Sequence, residues 1–482
     1  MMQHENTAIH WFRQDLRLTD NPALFEATQE QKVLPIYILD DVNSKEHMMG
    51  SASRWWLYKS LENLTNGLEG KLGLYAGNPE EVLDELISKY NITKIYWNRC
   101  YEPWRIKRDK DLKLSLENKG IEVNTYNGSL LWEPWEINKS DGTPYKVFTP
   151  YYKKGCLNAP APRDPLPKAH IEATFSDEGN ETTLEDLKLL PKINWYEDME
   201  NNWVPGEEGA EVKIDSFISN GLLDYKEGRN FPAKKNVSQL SPYLHFGEIS
   251  PNQIWYRAKF QESRSGIENS LNHFLSELGW REFSYSLLYN FPTLPKENLQ
   301  KKFDRFPWIV NEEFLERWQQ GKTGYPIVDA GMRELWQTGY MHNRIRMVVG
   351  SFLVKNLLLH WHEGERWFWD CLIDADLASN SASWQWIAGC GADAAPYFRI
   401  FNPITQGLKF DSEGEYTKKY IPELRDLPNK YLFNPWEAPI EILEKANVIL
   451  GKNYPLPIVD IKESREKALE AFSSTKSVQN ES

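Results

Sequence analysis

At 482 residues the chain is too long for one compact core, so two domains are the expectation. It contains no run of about 18 apolar residues, which excludes a helical membrane span. A net charge of −13 argues against a nucleic-acid partner taken over the whole chain, but charges are screened within about 8 Å, so a local basic face remains open.

The opening residues carry neither the basic nor the apolar stretch of a signal peptide. Cys100, Cys156, Cys371 and Cys390 are scattered, with no CxxC spacing. Together these predict a reducing, cytoplasmic setting without a disulfide frame or zinc site.

In chain order, the first part alternates. Short apolar runs at 7–12, 33–39, 72–75, 94–97 and 121–126 predict strands. Helical patterns lie between them, most clearly over 79–90. There Asn78 suits an N-cap, Pro79 the first turn, and Glu80 and Glu81 the positive helix end. Strand–helix alternation implies a doubly wound parallel α/β domain over 5–135. From 136 to 205 the pattern dissolves into a Pro-rich and then acidic linker. Residues 206–472 then read as an all-helical domain, with helices expected over 267–290, 325–338 and 341–362; 473–482 is a polar tail.

No GxGxxG follows a strand, no Walker loop occurs, and no Ser/His/Asp or HExxH pattern appears. Nucleotide binding of the usual kind, hydrolysis and zinc chemistry are therefore poorly supported. Chemistry concentrates elsewhere. Residues 367–401 hold acids, an amide, several tryptophans and a Gly/Ala-rich turn, a mix suited to a large planar redox cofactor. Glu277, Trp280 and Arg281 share one helix face, which could grip a base and a phosphate. From spacing alone, an ion pair beside a core tryptophan is the commoner outcome. Asn343, Arg346 and Met347 share another face, with Arg344 displaced from it. Arginines at a buried helix start need acids, for which Asp374 and Asp376 are candidates. The loop holding Tyr225, Arg229, Lys234, Lys235, Ser238 and Ser241 suits a diphosphate, although a solvated basic loop is commoner for such composition.

These blocks resemble the photolyase/cryptochrome family, and within it the photolyases of cyclobutane pyrimidine dimers. The resemblance rests on Trp11–Leu24, Glu277–Phe283, His342–Met347 and Trp367–Gly407, and runs from about residue 6 to 470. It implies an α/β antenna domain and a helical domain binding FAD. Tyr225, Val237, Ser238, Gln239, Leu240, Ser241, Phe274, Glu277, Arg281, Arg346, Asp374, Ala375, Asp376 and Asn380 would contact FAD. Val237 stands where the family often has a hydroxyl residue. Arg346 would pair with Asp374 beside the flavin ring, and Asn380 would face flavin N5.

The implied activity is that of a carbon–carbon lyase. Light-driven electron transfer from excited FADH⁻ would split a dimer flipped out of DNA. Glu277, Asn343, Met347 and Asn380 would be catalytic. Trp280 and Trp386 would sandwich the bases, Glu277, Asn343 and Met347 would meet the lesion, and Arg229 and Arg344 the strand backbone. Trp384, Trp361 and Trp308 match the family's electron-transfer chain. Asn380 favours repair over reception, because plant cryptochromes typically carry Asp there and animal ones Cys. The alternative is a cryptochrome-like blue-light photoreceptor using the same flavin.

An antenna chromophore at Glu102, Trp104 and Arg105 is expected, 5,10-methenyltetrahydrofolate first and 8-hydroxy-5-deazaflavin second. The expected partner is UV-damaged DNA, single- or double-stranded, with the protein a monomer and nucleoid-associated through DNA.

Overall fold

The computed structural model describes residues 7–191, 193–397 and 399–475, so most of the polar tail at 473–482 lies outside the described residues. By compactness the chain forms two units. One runs to Leu223 and adds Ser238–Pro292 and Ile373–Ala378; the other takes Asp224–Val237, Thr293–Leu372 and the chain from Ser379.

The first unit is built on a five-stranded parallel sheet. Its elements are β1 (Thr7–Phe12), α1 (Pro22–Ala27), β2 (Lys32–Leu39), α2 (Ser51–Gly67), β3 (Gly73–Ala76), α3 (Pro79–Tyr90), β4 (Lys94–Asn98), α4 (Pro103–Asn118) and β5 (Glu122–Tyr126). The order is β3-β2-β1-β4-β5, so the winding reverses between β1 and β4. Alternation along the strands covers both faces. Ile9, Trp11, Leu34, Ile36, Ile95 and Trp97 point to one core with Leu83 and Leu86 of α3 and Leu112 and Leu116 of α4. Ala8, Val33 and Tyr96 point to the other, against Ala23 and Ala27 of α1. The α3 start follows the expected chemistry: the Asn78 side chain accepts from Glu80 N at 3.2 Å, and Asn91 at φ +50° ends the helix.

The segment after β5 is irregular yet anchored. Val33 N donates to Ala173 O and Phe175 N to Val33 O, so the connector borrows the β2 backbone. After Tyr126 the regular elements are helical, and no further strand follows among the described residues. Within the first unit these include α5 (Ser241–Phe246), α6 (Pro251–Lys259) and α7 (Glu268–Asn290).

The second unit contains α8 (Pro326–Thr338), α9 (Asn343–Ser351), α10 (Trp361–Cys371), most of α11 (Leu377–Ala388), α12 (Pro403–Phe410) and α13 (Ile461–Ser474). Here one expectation is corrected. The single helix expected over 341–362 is two. α9 widens into an i→i+5 turn over Phe352–Asn356, Leu358 turns left-handed at φ +53°, and a new helix starts at Trp361. The His360 side chain caps it, accepting from His362 N at 3.1 Å. Residues 352–357 are buried on every side, the polar Lys355 and Asn356 included, so no exposed face marks the break.

Candidate functional site

In the first unit, α7 carries Phe274, Glu277, Trp280 and Arg281. Trp280 is half-buried and backed by a stack of rings. Phe148 lies 3.8 Å from it between centroids with planes 11° apart, and Tyr152 stacks on Phe148 at 5.6 Å. Gly279 permits this, since a Cβ there would run into the Tyr152 ring. Glu277 lies 3.7 Å from His273 Nε2, one turn away. Phe274 packs on Phe217 with centroids 4.6 Å apart.

Arg281 donates to Ser129 O at 2.7 Å, meets Glu282 at 3.3 Å and lies over the Tyr285 ring. That ring's hydroxyl donates to Asp376. Burial alone would raise the Asp376 pKa, but His245 at 3.9 Å, the Tyr285 hydrogen bond and the Arg281 charge hold it well below the usual carboxylate range. Its neighbour Asp374 accepts from Ser241 Oγ at 2.6 Å, at the start of α5, and Ala375 between the two acids is buried. In the loop before α5, Gln239 is left-handed at φ +55° and its side chain accepts from Lys213 Nζ at 2.7 Å. Ser238 Oγ accepts from Leu240 N, and Leu240 is buried.

In the second unit, arginines gather around His342. The His342 side chain caps α9, accepting from Arg344 N at 3.2 Å. Burial first, then Arg229, Arg344 and Arg346, push its pKa down to about 3, so the ring is neutral and reports a concentrated positive field. Its Nε2 is buried without a hydrogen-bond partner. Arg229 covers the Tyr225 ring at 5.3 Å. Arg344 donates to Asn230 Oδ1, reaches Met347 Sδ at 3.8 Å and covers Phe410 at 4.5 Å. Arg346 donates to Met341 O at 2.7 Å, and Asn343 is exposed. Sequence reasoning missed His342 itself, and also Glu334, which accepts from His342 N at 3.2 Å and lies within the field of Arg346. Glu334 sits in α8, so helical spacing around Arg346 carries no signal of it.

α11 carries Asn380, Trp384 and Trp386. The Asn380 Nδ2 donates to Glu365 O at 3.0 Å, and among the described residues no donor meets its Oδ1. Ser381 Oγ donates to Glu365 Oε1 at 2.6 Å. Burial pushes that carboxyl up to about 7 against the pull of Ser381 and Arg366. Trp384 is buried against Phe368 at 5.0 Å and Trp318 at 6.3 Å, whereas Trp386, two residues on, is half-buried. Trp361 is fully buried and donates to Asn298 Oδ1 at 2.9 Å; Trp308 is half-buried against Phe306.

The residues expected to hold an antenna lie at the carboxyl ends of the strands, where open α/β sheets bind ligands. Glu102 and Arg105 form an ion pair at 3.5 Å. Arg105 and Arg108 lie over the Trp104 ring at 4.8 and 5.2 Å, and Arg108 also covers Trp11.

Comparison with known proteins adds identity to this geometry. Residues 8–169 match the family model described as DNA photolyase, and residues 274–474 match the FAD binding domain of DNA photolyase. The chain is 47% identical over 475 residues to a deoxyribodipyrimidine photo-lyase of Agrobacterium fabrum, covering 97% of this chain and 98% of that one. It is 39% identical to Cryptochrome-2 of Arabidopsis thaliana, over 99% of this chain and 80% of that one. In structure it is similar to a bacterial class III photolyase from Agrobacterium tumefaciens, with TM-score 0.93, 45% identity and 99% of each chain covered.

The side chains suit a flavin. Among the described residues, no donor meets the Asn380 amide oxygen and no partner meets the buried His342 Nε2, and the three arginines about His342 supply charge for an anionic cofactor. Two family models in the expected order, and relatives matched along nearly their whole length, show that the chain belongs to the photolyase/cryptochrome family.

Proposed function

We propose that this protein repairs cyclobutane pyrimidine dimers in DNA, driven by blue light and using FADH⁻. The observation that carries the reading is Asn380. Its Nδ2 is committed to Glu365 O, so the group turned outward is an acceptor with no proton to give. Such a group stabilises a reduced N–H and discourages protonation of an anionic ring.

Bound and reduced, the flavin supplies a light-excited one-electron donor. The chain does the rest. Tyr225, Val237, Ser238, Gln239, Leu240, Ser241, Phe274, Glu277, Arg281, Arg346, Asp374, Ala375, Asp376 and Asn380 hold the cofactor. Trp280, stiffened by Phe148, offers a flat face to one flipped base, and Trp386 takes the other on the family's pattern. Glu277 and Asn343 hydrogen-bond the lesion, Glu277 stabilising the charge that develops on it, and Met347 fills the apolar side. Arg229 and Arg344 contact phosphates. Trp384, Trp361 and Trp308 carry electrons inward from solvent to restore the reduced state. The likeness to the class III photolyase supports this reading.

An antenna chromophore at Glu102, Trp104 and Arg105 belongs to the same proposal, with methenyltetrahydrofolate ahead of a deazaflavin. The Trp104 face suits a flat heterocycle, and a visible absorption spectrum of the purified protein distinguishes the two. The partner is UV-damaged DNA, bound by a monomer.

Incubating the reduced protein with dimer-containing oligothymidylate under blue light tests the reading. Absorbance at the thymine band should recover; no recovery with flavin present overturns repair. The second reading, a photoreceptor, is favoured by the identity to the Arabidopsis cryptochrome. Asn380 weighs against it, and reduced, flavin-loaded protein that repairs no lesion under blue light would restore it.

A further inference from the structure

His360 stands between two tryptophans of the relay. Trp308 meets the rings of Phe306 and His360, the latter at 5.2 Å between centroids and 68°. Trp361 meets the rings of His360, at 5.6 Å and 27°, and His362, at 3.8 Å. Among the described residues, His360 is the ring that touches both tryptophans. It is also fixed in place, because its side chain caps α10 by accepting from His362 N.

We propose that His360 is a positioning residue for electron transfer from Trp308 to Trp361, its ring spanning the gap between the two indoles. The proposal rests on the reading of Trp384, Trp361 and Trp308 as the photoreduction relay. The step is a one-electron exchange. An electron leaves the Trp308 indole and fills the hole left on Trp361 after Trp361 has given its own electron to Trp384. Trp361 returns to its closed shell, and Trp308 becomes the radical cation. A thiol in solution, such as dithiothreitol, then supplies an electron to Trp308 and is itself oxidised toward the disulfide.

Three features support the assignment. The Nδ1 lone pair is used by the helix cap, so the imidazole cannot swing away without uncapping α10. The ring is neutral: burial, then His362 and Arg366, push its pKa down to about 4 against the opposing pull of Glu363. A cationic ring beside either indole would disfavour a hole there. Finally, Trp308 is half-buried whereas Trp361 is fully buried, so the side of His360 that meets Trp308 is the one open to a soluble reductant.

Two substitutions separate the ring from the cap. His360→Asn keeps an acceptor for His362 N and removes the ring; His360→Phe keeps the ring and removes the acceptor. The full-length protein with oxidised FAD is flashed, and the tryptophanyl-radical absorption is followed, with Trp361→Phe as control. In His360→Asn the long-lived radical of Trp308 should fall roughly tenfold, while in His360→Phe it should stay within about threefold of the parent. Thermal unfolding, which needs no flavin photochemistry, should show the reverse order, with His360→Phe the less stable. If His360→Asn forms the Trp308 radical at the parent yield while Trp361→Phe does not, the bridging role is overturned and the relay stands. Equal losses in both His360 variants, tracking a lowered melting point, overturn it in favour of the cap alone. Full photoreduction in Trp361→Phe overturns the relay reading and this proposal with it.

Discussion

Asn380 is held by the backbone of Glu365: its Nδ2 donates to the Glu365 main-chain oxygen at 3.0 Å, fixing which end of the amide faces away from the protein. Asp at this position has no N–H to give to that oxygen and introduces a transferable proton. Asn380→Asp should therefore stop photoreduction short of the fully reduced flavin and lower repair yield several-fold, an effect of about 1–2 kcal/mol. Visible spectra after illumination with dithiothreitol check the first effect, and oligothymidylate repair the second.

Trp384 rests flush against α10 because residue 364 is glycine. A Cβ at Gly364 would run into the Trp384 ring. Gly364→Ala should displace the ring and destabilise the protein by about 1–3 kcal/mol, read by denaturant unfolding. Trp384→Phe should block photoreduction of oxidised FAD while sparing repair by chemically reduced enzyme. Photoreduction at full yield in Trp384→Phe means that electrons enter by another route.

The Trp280–Phe148 stack, at 3.8 Å and 11°, makes a stiff wall from α7 and the irregular connector. Trp280→Ala removes the stacking face, and affinity for dimer-containing DNA should fall by about 1–3 kcal/mol with affinity for undamaged DNA little changed. Phe148→Ala should cost less, because it loosens the face and leaves it in place. Fluorescence anisotropy with lesion and control oligonucleotides measures both.

Glu334 gives a pH signature. Its carboxylate accepts from Tyr416 OH at 2.7 Å and from His342 N at 3.2 Å, and burial outweighs these to push its pKa up to about 7. The native state therefore keeps a proton that the unfolded chain releases above about pH 4.5. The stability this supplies is whole below pH 4.5 and is lost as pH rises through 7. Glu334→Gln should remove that slope and make the protein more stable than the parent above pH 7, by about 1–3 kcal/mol. Buried His342, pushed down to about 3, slopes the other way below pH 6.5, so the comparison of parent and variant isolates the glutamate. Urea unfolding at pH 5, 7 and 8 checks it.

Much of the fold is legible in the order of residues, because strand and helix periods are local. The expected runs at 7–12, 33–39, 72–75, 94–97 and 121–126 fall within one residue of β1 to β5. Asn78, Pro79 and the paired glutamates mark the start of α3, since a helix N-terminus has the same chemistry wherever it occurs. The two-residue offset between Trp384 and Trp386 already implies opposite faces of a helix, one buried and one half-buried.

What the order of residues leaves open depends on the path of the chain. Phe148 meets Trp280 across 132 positions, and no local pattern marks a connector residue as the backing of a helix face. The break at Leu358 hides in a run buried all round, and with it the capping and bridging place of His360. His342 reads as one more histidine until burial and three arginines make it the centre of a positive cluster. Burial depth and long-range side-chain pairing arise from packing, and packing is a property of the folded chain as a whole: the residues name the chemistry available, while the fold sets which groups meet, how dry they are and which way each amide points.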